Sequence, residues 1–396
     1  MYLIISLLLI LVGAGVLCAV KWQAWFVNQP EQDYVVAQRP NNIVLTMGQD
    51  AQHQRIVSWR ADTAISRSCL RLVHARHLDT VNIAADSALI YSQAGVAAYY
   101  QARLDNLQEG QYSYQCVSGD RQSEWHNFRI SDLDTTTLLF FGDIEDKKGT
   151  PSRLMMQKAL SRNANVDAVC YTGNILEHPM DKYWQVWQRS LEGRQSMVPQ
   201  IAVAGSNEYR KGLMRKIDNR WTHVFGIPQN APYRFLGTST YFIDFPTARL
   251  IMLDTHALNF LSDYTIMQTW LSRLLISDPD KWKIVIMHQP VHYAATGRYH
   301  PALYLAFHEV LKDADLVFSG SDHNYVRRQE MPQYIILNSS DRNLEIRKDI
   351  NQDPLVACYD EKMKGYCSVS LTYDSLHLYT YDIVHDRIID QLSLGR

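Results

Sequence analysis

The pattern of apolar and polar positions divides the chain into two regions. Between residues 41 and 132 the apolar runs are short and separated by turn residues: NIVLTMG, RIVSWRA, CLRLVHA, AYYQARLDNL, GQYSYQCV and HNFRIS. Apolar and polar residues alternate within these runs, which is the period of a β-strand buried on one face. We therefore predict an all-β sandwich over residues 41–132.

From residue 137 the apolar runs become continuous, and each ends in a polar or glycine-bearing tip: TLLFFGD, VDAVCYTGN, PQIAVAGSN, RLIMLDT, WKIVIMHQP, ADLVFSGSDH and QYIILNSS. Continuous apolar strands are typical of sheets covered on both faces. Helix-like stretches such as SRLMMQKALSRN lie between them. The pattern predicts a mixed α/β domain over residues 137–396, in which the polar tips meet at the carboxyl ends of the strands. The final stretch alternates like antiparallel hairpins that close one sheet.

The N-terminus carries an apolar segment, Tyr2 to Val20, without a charged residue. As a helix it would extend about 28 Å, close to the thickness of a bilayer core. The segment lacks the basic start and the clear cleavage site of a signal peptide, so we predict a membrane anchor over residues 1–21, with cleavage as the alternative. Residues 22–40 read as a linker. Lys21 favours a cytoplasmic body under the positive-inside rule, but large domains override that rule.

Charge and cysteine content narrow the possible roles. A net charge of −2 over 396 residues, with interspersed signs, provides no basic face, so nucleic-acid binding is not expected. Cys358 and Cys367 are close enough in sequence for a hairpin disulfide, and Cys69 and Cys116 lie on strand-like runs that a second bridge would join. Five unpaired thiols outside the anchor are the alternative. Either bridge would place the body outside the cytoplasm.

Five of the polar tips occur in an order that resembles a known family. They are FGD at 141–143, TGN at 172–174, AGSNE at 204–208, MHQP at 287–290 and GSDHNYVR at 320–327. These resemble the metal-binding blocks of the calcineurin-like metallophosphoesterases, in the purple acid phosphatase-like branch. The resemblance implies a fibronectin type III-like sandwich, which Trp59 and the alternation from Leu104 to Tyr114 also fit, followed by two mixed β-sheets flanked by helices.

The resemblance also implies a dinuclear centre, in which two metal ions about 3.5 to 4 Å apart clamp a phosphate and polarise a water. Three ligand positions are retained in this chain as Asp143, His288 and His323. The position of the bridging aspartate is Asn174, and that of an aromatic ligand is Glu177. The remaining family positions have also changed: a metal-binding Asn to Ser206, a catalytic His to Asn207 and a ligand His to Ser321.

These replacements argue against the family's usual chemistry. Without the bridging carboxylate, two dications would leave uncompensated charge in a partly buried pocket, at a cost of several kcal/mol per ion. We therefore expect no dinuclear Fe, Zn or Mn centre, and at most one divalent ion held by Asp143, His323 and Glu177. Asn207 cannot act as a general acid. His292 and Arg298 are candidates for contacts with a substrate in the cleft.

Two functions follow as hypotheses. The first is a membrane-anchored, extracytoplasmic pseudophosphatase that acts by binding, with protein partners in an envelope or surface assembly. The second is an active phosphomonoesterase or phosphodiesterase with an altered or single-metal site. Glu145, Asp146, Asp322, Glu208 and His178 also lie near the tips, where turn and loop roles are the simpler interpretation; His300 is a further candidate for the cleft lining.

Overall fold

The structure is a computed structural model that describes residues 2–33, 36–61, 67–77, 79–131, 134–212, 214–234 and 236–396. The start of the predicted anchor at residue 1 and the end of the predicted sandwich at residue 132 lie outside the described residues.

The chain begins with a 25-residue helix, α1 (Tyr2–Phe26). Its apolar side chains at Val12, Val16, Val20 and Trp22 are exposed. Within the described ranges, no helix meets the length and apolarity needed to cross a membrane.

Among the described residues, nine strands form an N-terminal β domain. They are β1 (Asn41–Met47), β2 (Arg55–Ala61), β3 (Ser68–His74), β4 (Thr80–Ala84), β5 (Asp86–Ser92), β6 (Gly95–Leu104), β7 (Gly110–Ser118), β8 (Arg121–Gln122) and β9 (His126–Ile130). One layer has the order β4-β3-β7-β8, with β9 paired to β7, and the facing layer has the order β1-β2-β6-β5. Between them Trp59 stacks on Tyr100 at 5.5 Å, and alternate strand residues supply the remaining core.

The C-terminal domain alternates strands and helices as the apolar runs predict. Its first half contains β10 (Thr136–Phe141), α2 (Thr150–Arg162), β11 (Ala168–Tyr171), α3 (Asp181–Ser190), β12 (Gln200–Ala202), β13 (Tyr209–Arg210), β14 (Lys216–Ile217) and α4 (Trp221–Val224). Its second half contains β15 (Tyr241–Asp244), β16 (Ala248–Leu253), α5 (Leu261–Ile276), β17 (Trp282–Met287), α6 (Pro301–Leu311), β18 (Leu316–Ser319), β19 (Tyr325–Arg328), β20 (Gln333–Ile336), β21 (Val356–Asp360), β22 (Gly365–Leu371), β23 (Ser375–Asp382) and β24 (Arg387–Gly395).

One ten-stranded sheet runs through both domains, in the order β24-β23-β22-β10-β11-β12-β1-β2-β6-β5. The junction is the parallel pair of β1 and β12, with Thr46 opposite Gln200. The C-terminal hairpins β22 to β24 close one edge of this sheet, as their alternation predicts. The pattern along the chain separates the two domains but contains no signal for this junction, because the two strands are more than a hundred residues apart.

A seven-stranded mixed sheet, in the order β15-β16-β17-β18-β20-β19-β21, faces the first one. Phe140 of β10 stacks on Phe318 of β18 at 4.0 Å, across the interface of the sheets. Successive residues of β16 and β17 alternate between this central core and a second core formed with helices α5 and α6. Because both faces of the sheet are covered, every residue of these two strands is buried.

The segment after α1 is fixed to the C-terminal domain by buried charges. Arg220 forms ion pairs with Glu31 at 2.8 Å and with Asp218 at 2.7 Å. Glu31 also accepts a hydrogen bond from Arg210 at 3.2 Å and one from the backbone N–H of Asp181 at 2.9 Å. We call Glu31, Arg210, Asp218 and Arg220 the Arg220 network.

Both disulfide hypotheses are wrong, since all six cysteines have free thiols. Cys358 lies on β21 of the seven-stranded sheet, whereas Cys367 lies on β22 of the ten-stranded sheet. Cys69 pairs with Val117 and Cys116 pairs with Leu70, so the two cysteines are offset by one residue across the ladder. Residues offset by one point to opposite faces of a sheet. The cysteines therefore give no indication of the compartment.

Candidate active-site cluster

The polar tips converge around Asp143, at the carboxyl ends of five strands. Asp143 follows β10, and its Oδ1 accepts a hydrogen bond from Nδ2 of Asn174, which follows β11, at 3.1 Å. Its Oδ2 accepts from the backbone N–H of Ser321, after β18, at 2.6 Å. Nε2 of His288, after β17, lies 4.0 Å from Asp143 Oδ1. Two of the retained ligand positions, Asp143 and His288, and two of the replaced ones, Asn174 and Ser321, thus meet in one place, as expected for an edge where strands end.

The backbone of these tips is held in an uncommon conformation. Four tip residues have φ between 47° and 71°: Asp143, Asn174, Ser321 and His323. They are four of the nine non-glycine residues with positive φ in the described part of the chain. Such conformations cost energy and cluster at functional sites. Gly173 has φ 96°, and a Cβ there would lie 2.7 Å from Nδ1 of His288. The loops are therefore closely packed, in backbone conformations that are typical of functional loops.

Asn174 is fixed with its amide nitrogen facing Asp143. Its Oδ1 accepts the backbone N–H of Asn207 at 3.0 Å and the hydroxyl of Ser206 at 3.4 Å. Because the oxygen faces these donors, Nδ2 points to the carboxylate of Asp143. A hydrogen-bond donor thus occupies the bridging position, where the family places an acceptor for two cations.

His288 retains the arrangement of a metal ligand. Its Nδ1 lies 2.9 Å from the backbone oxygen of Thr172, which can only accept, so Nδ1 carries the proton. The lone pair of a neutral ring is then on Nε2, which has no hydrogen-bond partner among the residues that the structure describes. Burial lowers the pKa of His288 to about 4 and keeps the ring neutral. Such a backbone contact typically orients ligand histidines.

A second part of the cluster contains two residues that do not belong to the conserved blocks. Arg342 forms ion pairs with Glu145 Oε1 at 3.0 Å and with Glu177 Oε1 at 2.6 Å. Oε2 of Glu145 accepts a hydrogen bond from Nδ2 of Asn207 at 2.7 Å. The guanidinium therefore neutralises carboxylates that line the centre. Glu145 lies two residues after Asp143, and this proximity to a tip made it a candidate in the sequence. Arg342 follows β20 outside every block, and no sequence signal indicates it.

Three carboxyl or imidazole ligands come close enough to hold one cation. Atoms of Asp143, Glu145 and His323 lie within 4.8 Å of one another. Nδ1 of His323 is 3.6 Å from Glu145 Oε1. Glu177, predicted as a substitute ligand, is not part of this group and pairs instead with Arg342 and Lys147. In the candidate single-ion site the third ligand is therefore Glu145, whereas the sequence predicts Glu177 at that place.

Burial makes this centre unfavourable for negative charge. It raises the pKa of Asp143 well above the usual range, with a further contribution from Glu145. It raises the pKa of Glu145 to about 7, against the opposing effect of Arg342. It also lowers the pKa of His323, with Arg342 adding to the effect. The hydrogen bonds that Asp143 and Glu145 accept oppose these shifts, and a nearby cation would stabilise the ionised carboxylates further.

The remaining candidates near the tips have structural roles. Glu208, whose pKa burial raises to about 7, accepts the backbone N–H groups of Gly205, Asn174 and Leu176 at 2.7 to 3.0 Å. Asp322 accepts the N–H groups of Ala294 and Ala295. Asp146 accepts the N–H groups of Lys148 and Ser152. These carboxylates hold the loops in place by satisfying backbone donors.

The two predicted substrate contacts lie elsewhere. The ring of His292 packs at 5.1 Å against Tyr334 and at 5.9 Å against His308, and its Nε2 is 4.0 Å from Glu330 Oε1. Arg298 is exposed on the following loop, where its backbone N–H contacts Thr296. His178 lines a cavity together with Ser206 and Asn207. His300 caps the N-terminus of α6.

The residues present do not fit a dinuclear metal centre. The amide of Asn174 directs a donor to Asp143, and both oxygens of Asp143 accept hydrogen bonds. Arg342 already pairs with the nearby Glu145. A second ion would retain only His288 among the family's ligands, since Ser206 and Ser321 replace the others. No reaction step through a metal pair follows from this arrangement.

The sequence was also compared with known proteins. Residues 40–130 match the purple acid phosphatase N-terminal domain, and residues 136–325 match the calcineurin-like phosphoesterase family. Purple acid phosphatase 15 of Arabidopsis thaliana is 22% identical over 228 residues, which cover 51% of this chain and 42% of that protein. The chain therefore aligns with less than half the length of this relative.

Two solved structures match the chain, and the first of them, PhoD, is similar in fold. PhoD has a TM-score of 0.60 at 12% identity, with 92% of this chain and 90% of PhoD covered. GAP50, described as the anchor in the inner membrane complex of Plasmodium, has a TM-score of 0.49 at 18% identity, with 66% of this chain and 89% of GAP50 covered. An N-terminal β domain, the five converging tips and the two family matches agree: the chain belongs to the calcineurin-like metallophosphoesterases and has the domain arrangement of the purple acid phosphatases.

Proposed function

We propose that this protein is a catalytically degenerate phosphoesterase, which acts by binding rather than by hydrolysis. The observation that carries the proposal is the orientation of Asn174, whose Nδ2 donates to Asp143 while its Oδ1 accepts from Asn207. The bridging position of a dinuclear centre requires a shared anionic oxygen. The Asn174 side chain is neutral and directs its NH₂ group, rather than its oxygen, toward Asp143. It therefore supplies neither the negative charge nor the acceptor oxygen that two cations would share.

The position of the general acid supports the same proposal. Asn207 Nδ2 donates to Glu145 Oε2 at 2.7 Å and to the backbone oxygen of Leu176 at 3.0 Å. An amide has no proton to transfer to a leaving group, and loss of a general acid typically costs about 10² to 10⁴ in rate. The side chain that replaces the catalytic histidine is therefore used to position a carboxylate.

The proposal is tested by metal content and hydrolysis, measured on the same purified full chain. We expect less than one equivalent of Fe, Zn or Mn and no hydrolysis of p-nitrophenyl phosphate or its diester above a Ser206→Ala control. A variant with Asn174→Asp, Ser206→Asn, Asn207→His and Ser321→His restores the family's residues and is expected to gain metal. Two equivalents of metal with hydrolysis in the unmodified chain would overturn the proposal.

A second candidate is an active phosphoesterase with a single metal ion. The favouring observation is the group formed by Asp143, Glu145 and His323, in which Nδ1 of His323 has no hydrogen-bond partner within the described ranges. One divalent ion there would polarise a phosphoryl oxygen. This candidate requires one equivalent of metal and hydrolysis that Glu145→Gln abolishes, whereas Glu330→Gln, which lies outside the group, leaves it unchanged.

Membrane attachment through the segment from Tyr2 to Val20 stays a prediction, which is based on the lack of charged residues there. The extracytoplasmic location of the body and the protein partners in a surface assembly also stay predictions. Alkaline carbonate extraction of membranes from expressing cells tests the attachment. Release of the chain into the soluble fraction would contradict it. Protease accessibility in intact cells determines on which side the body lies.

A further inference from the structure

A groove runs from the cluster across the face of the C-terminal domain. Its first part is a cavity of about 210 Å³ that Ser206 and Asn207 line together with residues of the segment after α1. Its second part is a cavity of about 520 Å³ beside the start of helix α5. Tyr209 and Arg215 line both cavities, so the two adjoin at these side chains.

The junction of the groove is basic. Arg215 lines both cavities and Lys211 lines the first one, and neither side chain forms an ion pair with any residue in the described part of the chain. The nearby acids have other partners: Glu31 pairs with Arg220, and Asp263 accepts the backbone N–H groups of Asn259 and Phe260. Two cations without counter-ions in a concave surface favour an anionic group.

The second cavity is apolar and open. Its walls include Leu236, which is buried, as well as Met214 and Phe260, which are 55% and 60% exposed. Leu261, next to Phe260, is 85% exposed. Large apolar side chains that are clustered on a surface and bordered by charges typically mark a binding groove. The basic junction and the apolar cavity together have the polarity of a molecule with one charged end.

The segment after α1 closes one side of the basic end. Asn28 exchanges two hydrogen bonds with the backbone of Lys211, at 2.9 and 3.0 Å, and the Arg220 network holds Glu31. Helix α1, in which Trp22 and Trp25 are exposed, ends at Phe26, two residues before Asn28.

We propose that the groove binds an amphipathic anion, with its acidic head at Lys211 and Arg215 and its apolar chain against Met214, Leu236 and Phe260. This inference rests on the proposed function, because it supplies the ligand class for a chain that acts by binding. The contacts that define it require neither metal ions nor the residues replaced in the cluster. A free alkyl phosphate or fatty anion and an acidic bilayer lipid share this chemistry.

A series of alkyl phosphates tests the proposal by isothermal titration with the full chain in the presence of EDTA. Inorganic phosphate is expected to bind weakly, and affinity should rise about three- to fourfold per added methylene from butyl to octyl phosphate, because each methylene leaves water. Octanol, which lacks the charge, should bind weakly. Equal affinity for phosphate and octyl phosphate would overturn the proposal.

Matched variants assign the two ends of the ligand. Arg215→Ala should weaken octyl phosphate binding at least tenfold, whereas Arg103→Ala, at an exposed arginine on β6 of the N-terminal domain, should not change it. Phe260→Ser should flatten the dependence on chain length, and Ile276→Ser, at the exposed far end of α5, should leave it intact. Phe260 is the N-cap of α5, where serine is favourable, so this variant is expected to fold. Wild-type binding by both test variants would contradict the assignment.

A competition experiment distinguishes the two sources. If phosphatidate-containing vesicles displace octyl phosphate while phosphatidylcholine vesicles do not, the ligand is a bilayer lipid; if only soluble amphiphiles displace it, the ligand is free in solution. If no alkyl phosphate binds, the proposal that the groove binds an amphipathic anion is wrong, but the proposed function is not affected. Metal content and hydrolysis, measured on the same sample, test the proposed function separately.

Discussion

Two clusters of buried charge in this protein are built in opposite ways. In the Arg220 network every carboxylate oxygen has a partner: both oxygens of Glu31 and both of Asp218 accept hydrogen bonds from arginine side chains. In the cluster around Asp143, buried polar atoms of Thr172, Glu177, His288 and His323 lack hydrogen-bond partners within the described residues. The first is a fully satisfied network that fixes a segment, and the second retains the unsatisfied groups typical of a site for a ligand.

The difference shows what was preserved in the cluster. Left-handed residues, close-packed glycines and the orienting contact of His288 are costly features of a functional loop. They persist although the chemical residues at Asn174, Ser206, Asn207 and Ser321 differ from the family pattern. Packing and backbone hydrogen bonds, such as those accepted by Glu208, hold the geometry of these loops.

Breaking the satisfied network should have the largest effect. Arg220→Met removes a side chain that is 1% exposed and leaves the carboxylates of Glu31 and Asp218 buried without it, so we expect a loss of about 3–5 kcal/mol in unfolding free energy. Urea denaturation measures this loss. Arg210→Met, at a partner that is 24% exposed, is the control and should cost less. An equal loss in the two variants would show that the network is not centred on Arg220.

A smaller change is expected when the bridging position regains its charge. Asn174→Asp places a second carboxylate beside Asp143 and removes a hydrogen-bond donor, which should cost about 1–3 kcal/mol in metal-free protein. Thermal unfolding with EDTA and with added Mn²⁺ measures this cost. Recovery of stability with Mn²⁺ in the variant, but not in the unmodified chain, would show that only the ligand was lost. If Mn²⁺ does not restore the stability of the variant, then replacing residue 174 alone is not enough to restore metal binding.

The smallest effect concerns pH. The pKa of Glu145 lies at about 7 in the folded chain, above the ordinary value of 4.5, so the protonated form is favoured by folding. This contribution to stability is fully present below about pH 4.5 and is lost as the pH rises through about 7. Glu145→Gln should therefore gain stability relative to the unmodified chain over that interval, as measured by urea denaturation in EDTA. If the stabilities of the variant and of the unmodified chain change in parallel with pH, the prediction is wrong and Arg342 already keeps Glu145 ionised.

Much of the fold was accessible from the sequence, since strand periodicity and strand ends are local signals. The apolar runs located most strands, and the glycine-bearing tips located Asp143, His288 and His323 in one cluster. The pairing of Thr46 with Gln200 was not predicted, because no local signal specifies which edges of two sheets meet. The disulfide hypotheses failed for a related reason: spacing along the chain does not reveal in which sheet a strand lies.

The candidate site was predicted in its positions but not in its contacts. The sequence shows that Asn174 replaces an aspartate; it does not show which end of the amide faces Asp143, which the N–H of Asn207 determines. It also does not indicate Arg342, since an arginine between strands is ordinarily solvated and only the folded chain brings it to Glu145 and Glu177.

By itself, therefore, the sequence determined the family, the order of strands and helices and the residues at the former metal positions, because these depend on periodicity and on short motifs. The tertiary structure alone decided how charge is balanced, since hydrogen-bond direction and ion pairing depend on groups distant in sequence. Asn174 turned toward Asp143, Arg342 between two glutamates and the basic, apolar groove beyond them all arise from such long-range proximity.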